Sequence, residues 1–531
     1  MTGKRKRIDV PTTTRDSKKP TREPATDPRK DLAKARVNAT AAQVKADGPS
    51  KPVSVPPSEL ENESLLHVQI VTGSYERVLH GISASIPRQL LQTQPDLASA
   101  KATSQTEGKD VAFSDTFLFA AHASSIRCLA VSPPTESDKR FLATGSSDER
   151  INVYSVSTAP PKVTGKASLP SLIGNTITEN SRNRSLGSLI HHDRAITCLE
   201  FPAKGKLFSS AEDNTIAISR TRDWTVLSSI KAPIPKAQGR PSGDTAGPGE
   251  TPAGVNNFAI HPSQKLMLSV SRGERCLRLW NLMTGKKAGV LNFDRGLLGQ
   301  TGEGKYSSGE GRRVLWDETG ESYVVGFERG AAVFGIDSKP KGVVRPSPLT
   351  KLHQLRMLQL GGAEKEVLAA STEDGRILFY DLQSPKPTGN VQDKLPAYSC
   401  LAQLGGRAAG VDGRIKDFEI LRLEIKSGKT ASILLVVTAS SDGAIRLWSM
   451  PDDAATLSQV SDSVSEQVKG AGSTARQVGS LIGTLETGNR ITCLGAFVMD
   501  GKVGEDATNG QDDTLVGAEE HGDPSASEES E

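Results

Sequence analysis

One pattern returns six times in this 531-residue chain, and it leaves few folds open. Small residues come first, then an acid, two spacer residues and a run of alternating apolar positions. The copies are ATGSSDERINVYSV at 143–156, SSAEDNTIAISRT at 209–221, SVSRGERCLRLWNL at 269–282, VVGFERGAAVFGID at 324–337, AASTEDGRILFYDL at 369–382 and TASSDGAIRLWSM at 438–450. The acid is Asp148, Asp213, Glu274, Glu328, Asp374 or Asp442, and six residues later stand Tyr154, Ser219, Trp280, Phe334, Tyr380 and Trp448. Each copy reads as a β-hairpin: a buried strand, a turn carrying the acid, and a second strand whose side chains alternate inward. Further strands precede four copies at 126–133, 196–203, 255–262 and 312–320, and others follow at 225–232 and 287–293.

Three or four short antiparallel strands per unit predict an all-β fold, a β-propeller with one blade per unit. Six copies leave one blade to find. Residues 66–86 hold two alternating runs without the acid-bearing turn, and 480–499 hold two more. Joined, these runs predict a seventh blade made from both ends of the chain, so that the ring closes without an open edge. The stretches 157–187, 233–252, 299–311, 338–350, 384–413 and 451–478 read as insertions between strands, which loops accommodate at modest entropic cost.

The formal net charge of +3 conceals an asymmetry. Residues 1–57 carry 14 basic and 6 acidic side chains, a net of +8, and 500–531 carry 1 basic and 11 acidic, a net of −10. Both stretches are poor in large apolar residues, so they are expected to be disordered. The expected organisation is a basic tail over 1–57, the propeller over 58–499 and an acidic tail over 500–531. Because both ends of the ring belong to one blade, the tails are expected to emerge near each other. No stretch approaches the ~20 consecutive apolar residues of a membrane span, and no secretory signal follows the opening charges.

Candidate functional residues divide into scaffold and surface. His122 and His192 stand a few residues before first strands, which resembles the WD-repeat pattern and implies that each histidine bonds the turn acid of its blade. With Asp148, Asp213, Asp374 and Asp442 they read as structural; a metal role lacks a second His or Cys at ligand spacing. Trp280 and Trp448 end alternating strands and read as blade-packing aromatics. Cys128, Cys198 and Cys493, in RCLA, TCLE and TCLG, occupy equivalent first-strand positions and read as small core side chains. Arg127 and Arg194 are possible rim contacts or ordinary surface arginines. The run Lys4, Arg5, Lys6 and Arg7 reads as a nuclear localisation signal or as a solvated tail. No GxSxG elbow, Walker loop or HExxH motif is present, so neither catalysis nor a cofactor is expected.

Several segments in order, IVTGSYERVLHGIS at 70–83, FAAHASSIRCLAVS at 119–132, HHDRAITCLEFP at 191–202, VVTASSDGAIRLW at 436–448 and ETGNRITCLGAF at 486–497, resemble the p21-activated kinase-interacting WD-repeat family. The resemblance spans about 66–499. It implies a seven-bladed WD40 propeller acting as a scaffold in the nucleus and nucleolus, in assembly of the large (60S) ribosomal subunit and rRNA processing. The implied partners are pre-60S assembly factors and ribosomal proteins. Pre-rRNA could meet the basic tail, since a basic arm neutralises phosphates without reading sequence. The alternative it implies is an adaptor that binds and restrains a p21-activated (Ste20-type) kinase. The chain is expected to be a monomer within a large complex. Ser219, Glu274 and Glu328 depart from the usual blade code.

Overall fold

A computed structural model describes residues 65–92, 110–135, 138–160, 180, 182–235, 253–361, 365–387, 395–427, 429–453 and 475–501. The basic tail, with Lys4, Arg5, Lys6 and Arg7, and the acidic tail beyond Gly501 lie outside the described residues. The regular structure of the described chain is almost all strand, joined by turns and loops, with the short helices Arg88–Gln92 and Arg295–Gln300 and a 3-10 turn at Arg407–Ala409.

The strands form antiparallel meanders of four. The first runs Ile126–Val131, Lys139–Ser146, Ile151–Ser157 and Arg184–Leu189. The second holds Ile196–Ala203, Lys206–Ala211, Thr215–Arg220 and Val226–Lys231, and the third Val255–Ile260, Leu266–Ser271, Cys276–Asn281 and Lys286–Asn292. The fourth holds Arg313–Trp316, Ser322–Gly326, Ala331–Gly335 and Pro340–Val344, and the fifth Leu352–Leu360, Lys365–Thr372, Arg376–Lys386 and Ala397–Gly405. The sixth holds Ile415–Ser427, Lys429–Ser440, Ala444–Pro451 and Ser480–Glu486. A closing meander sets Ile491–Val498 beside Leu65–Ser74, Val78–Pro87 and Ala112–Ala120.

Among the described residues these strands make six sheets, because the fourth and fifth meanders share one through the parallel pair Val343 and Ala397. The expected all-β, propeller-like architecture is therefore present. Its closure also joins the two ends of the chain: Val68 pairs with Val498, and the Met499 N–H donates to the His67 carbonyl at 2.9 Å. The closing meander is built differently from expectation, however. It takes three strands from the N-terminal side and one from the C-terminal side, while Ser480–Glu486 pairs with Ala444–Pro451 in the sixth meander. Four stretches read as insertions also hold strand: Pro340–Val344 within 338–350, Ala397–Gly405 within 384–413, Arg476–Gln477 within 451–478, and the start of Arg184–Leu189 within 157–187.

The hairpin turns explain why the acid recurs. The residue after the acid has a left-handed backbone in four copies: Glu149 (φ 69°), Asn214 (φ 63°), Gly375 (φ 80°) and Gly443 (φ 92°). The acid itself accepts from the backbone two residues on, as Asp148 does from the Arg150 N–H at 3.2 Å and Asp442 from the Ala444 N–H at 3.0 Å. This Asx bond holds the tight reversal.

Each junction between neighbouring meanders is filled by its own apolar cluster. Ala143, Ile151 and Val153 meet Ile196, Leu199 and Phe201 between the first and second, and Val68, Ile70 and Ile82 meet Leu435, Val437 and Leu447 between the closing meander and the sixth. Fully burying one such side chain contributes about 1.5–3 kcal/mol, so the meanders hold one another in place. Trp280 and Trp448 are buried, as are Tyr380 and Phe334 at the same point of their copies.

Candidate functional site: the central cavity and its mouth

The first strand of every meander faces a central cavity of about 640 Å³, lined in turn by Cys128, Cys198, Asn257, Val314, Gln354, Asp417 and Cys493. Five of these strands begin with a register shift within their first few residues, at Ile126/Cys128, Ile196/Cys198, Val255/Asn257, Leu352/Leu355 and Ile415/Asp417. A bulge re-aims the side chains beside it, and here polar residues at the strand starts reach the next strand around.

The links form a circuit. Arg127 Nη1 donates to Glu212 Oε1 at 2.7 Å, crossing from the first meander to the second. Thr197 Oγ1 donates to the Val255 carbonyl at 2.6 Å, and Asn257 Oδ1 accepts from the Val314 N–H at 2.9 Å. Arg313 Nε donates to the His353 carbonyl at 3.2 Å, and Gln354 Nε2 to Asp417 Oδ1 at 3.0 Å. Asp417 Oδ2 accepts from the Leu494 N–H at 3.0 Å, and Thr492 Oγ1 donates to the Ile126 carbonyl at 2.6 Å, returning to the start. Polar groups that burial would otherwise leave unpaired are thus spent on holding the strands together.

The predicted blade residues can now be placed. His122 Nδ1 lies 3.1 Å from Asp148 Oδ2 and its Nε2 2.9 Å from Thr144 Oγ1. His192 repeats the arrangement, with Nδ1 3.1 Å from Asp213 Oδ2 and Nε2 2.8 Å from Ser209 Oγ. Trp280 Nε1 donates to Ser269 Oγ at 2.8 Å and Trp448 Nε1 to Thr438 Oγ1 at 3.3 Å. Asp374 and Asp442 are held by arginine: Arg376 Nη2 stands 2.6 Å from Asp374, and Arg446 Nη2 3.6 Å from Asp442. Glu274 pairs with Arg278, whereas Glu328 bridges Arg312 at 3.5 Å and Lys351 at 2.9 Å on the rim. Sequence reading missed a further pair, His80 Nε2 to Asp115 Oδ1 at 2.7 Å, buried in the closing meander.

Arg127 and Arg194 differ. Arg127 lines the cavity mouth and shares Glu212 with Arg272, whose Nη2 lies 3.0 Å away. Burial pushes the Glu212 carboxyl up, but the two guanidinium groups hold it below its ordinary value. Arg194 is exposed in the turn before Ile196.

The three matching cysteines face the cavity and are not nucleophiles by their chemistry. Burial pushes the Cys198 thiol up to about 11 and Cys493 up to about 12, whereas a reactive cysteine needs the opposite shift. Each of two thiols occupies space vacated by a glycine on the paired strand. A Cβ on Gly145 would lie 2.8 Å from Cys128 Sγ, and one on Gly73 2.7 Å from Cys493 Sγ. On the cavity wall burial also raises the Glu200 carboxyl to about 8, although Arg356 pulls it down. Arg356 itself pairs with Glu419 at 3.2 Å.

Two stretches of this chain are similar to WD repeats. The model of the WD domain, G-beta repeat, matches residues 113–155 and 183–218, each match running from the outer strand of one meander into the next. The chain is related over most of its length to p21-activated kinase-interacting WD-repeat proteins. It is 24% identical to p21-activated protein kinase-interacting protein 1-like of Danio rerio over 83% of this chain and 83% of that one. Protein MAK11 of Saccharomyces cerevisiae is 28% identical over 72% of this chain and 78% of its own. Shk1 kinase-binding protein 15 of Schizosaccharomyces pombe is 23% identical over 59% and 68%.

Proposed function

We propose that this chain is a non-catalytic, seven-bladed WD40 scaffold that works in assembly of the large ribosomal subunit in the nucleolus. Seven blades follow if the shared sheet is counted as two, since a single bridge pair joins its meanders. The observation that carries the scaffold reading is the circuit of bonds from Arg127 around to Thr492. It fixes the ring and leaves the loops at the strand ends, rather than the ring itself, to meet partners.

The ribosomal role rests on the family resemblance, on the likeness to MAK11 and on the basic stretch at Lys4, Arg5, Lys6 and Arg7, which suits nuclear import. Pre-60S assembly factors and ribosomal proteins are the partners this reading assigns, with pre-rRNA met by the basic tail. Restraint of a p21-activated kinase is the second reading, and the kinase-interacting and kinase-binding names of the relatives favour it. Affinity purification of the tagged full chain separates the two. Large-subunit precursor rRNA with assembly factors supports the first; a kinase recovered without ribosomal material overturns it.

A further inference from the structure

The cavity mouth is not electrically even. Where the first strands of the fourth, fifth and sixth meanders begin, basic side chains crowd together: Arg312 and Arg313, then Lys351, then Arg414 and Lys416, with Arg490 leading into the closing strand. Some of these charges are answered. Arg312 and Lys351 share Glu328, and Arg414 lies 3.5 Å from Glu373. Lys416 forms no ion pair among the described residues, and Arg313 spends its Nε on a backbone carbonyl. Both line the cavity.

In the middle of this cluster sits His353, half-buried, whose Nε2 is shut off from solvent with no hydrogen-bond partner. Burial, then the charges of Lys416, Arg414, Arg313 and Arg312, push its imidazole down to about 3. Burial followed by Arg414 and Arg490 likewise lowers the Lys416 ammonium. Positive charge is therefore in local excess in a recess, a setting in which an anion gains most because the walls screen poorly. Deeper in the cavity the carboxyl groups of Asp417 and Glu419 line the wall, so an anion would stop at the mouth.

We infer that this sector of the mouth, built by Arg313, His353, Arg414 and Lys416, receives acidic side chains of a partner protein segment. Two features favour such a segment over a nucleic-acid backbone. Arg313 and Lys416 belong to the lining of a cavity, which suits single side chains better than a continuous chain of phosphates. Glu328 and Glu373 also alternate with the bases; they repel a uniform polyanion but are compatible with a protein segment of mixed charge. The inference concerns a surface of the ring and stands whichever partner the proposed function assigns.

The test is fluorescence anisotropy on the full chain with a labelled peptide of about ten residues in which glutamates are interspersed with lysine and glycine, and with single-stranded RNA of similar length. Wild type should bind the peptide, and Lys416→Glu with Arg414→Glu should weaken it about tenfold, a loss expected when close charges are reversed. Lys231→Glu, exposed on the outer strand of the second meander, should leave binding unchanged. If the double variant melts early, Lys416→Gln gives the same direction with a smaller loss. Saturating peptide at pH 7 should also shift the His353 imidazole resonances followed by NMR, which binding elsewhere on the surface would not do. Equal binding by wild type and the mouth variants, no peptide binding, or RNA bound more tightly through these same residues would overturn the inference.

Discussion

His122 and Asp148, 26 residues apart, lock the first meander: Nδ1 stands 3.1 Å from Oδ2, while Nε2 reaches Thr144 Oγ1 at 2.9 Å. The two groups shift by different causes. Burial drives the His122 imidazole below its ordinary 6.5, against the pull of Asp148. Burial pushes the Asp148 carboxyl up, but the Ala123 N–H and His122 hold it below its ordinary 3.8.

Both depressed values give stability the same sign. The histidine contribution is complete above about 6.5 and is lost as pH falls through the lowered value; the carboxylate contribution is complete above about 3.9 and is lost below that. His191, pushed down to about 4 chiefly by burial, adds to the first loss. Melting temperature should therefore fall steadily from pH 7 to pH 4, and His191→Gln should flatten that slope. A melting temperature that rises on acidification would contradict the argument.

Trp280 separates packing from hydrogen bonding. Its ring is buried and its Nε1 donates to Ser269 Oγ at 2.8 Å. Trp280→Phe keeps most of the ring and should cost about 1 kcal/mol, whereas Trp280→Ala opens a cavity and should cost roughly 3–5 kcal/mol. Urea denaturation measures both, and equal losses would show that packing is not what the residue supplies.

Asp417 joins three meanders, accepting from Gln354 Nε2 at 3.0 Å and from the Leu494 N–H at 3.0 Å. Asp417→Ala strands both donors and should cost about 3 kcal/mol or more. Gln354→Ala removes one link and should cost less. Hydrogen exchange should then quicken first at Leu494, the junction where the chain's ends close the ring; uniform quickening would count against that assignment.

Gly73 and Cys493 form a size-matched pair. A methyl at Gly73 would lie 2.7 Å from Cys493 Sγ and 2.6 Å from Ile126 Cγ2. Gly73→Ala should cost about 1–3 kcal/mol through overpacking. Removing the sulfur in Gly73→Ala with Cys493→Ala should recover part of that loss. Strict additivity of the two changes would refute the contact.

The hairpins were legible in the sequence because their code is local. Asp148, Asp213, Asp374 and Asp442 sit within two residues of the backbone groups they bind or the turn they make. Outer strands such as Arg184–Leu189 and Val226–Lys231 are nearly all exposed, so alternation carries little signal there. Pro340–Val344 and Ala397–Gly405 are partly buried but carry no acid-bearing turn to mark them, and Ser480–Glu486 reveals its meander only when Ala444–Pro451 is set beside it. The circuit around the cavity depends on partners far along the chain, such as Thr492 and Ile126, 366 residues apart. Its trace was a column of polar residues at strand starts, Arg127, Thr197, Asn257, Gln354 and Asp417, which resembles ordinary strand ends until the strands are set side by side.

The ribosomal role is tested best in cells, by crosslinking the tagged full-length chain and sequencing the RNA and identifying the proteins it captures. It predicts large-subunit precursor rRNA together with pre-60S assembly factors and ribosomal proteins. Capture of a p21-activated kinase with no enrichment of large-subunit precursors would contradict it.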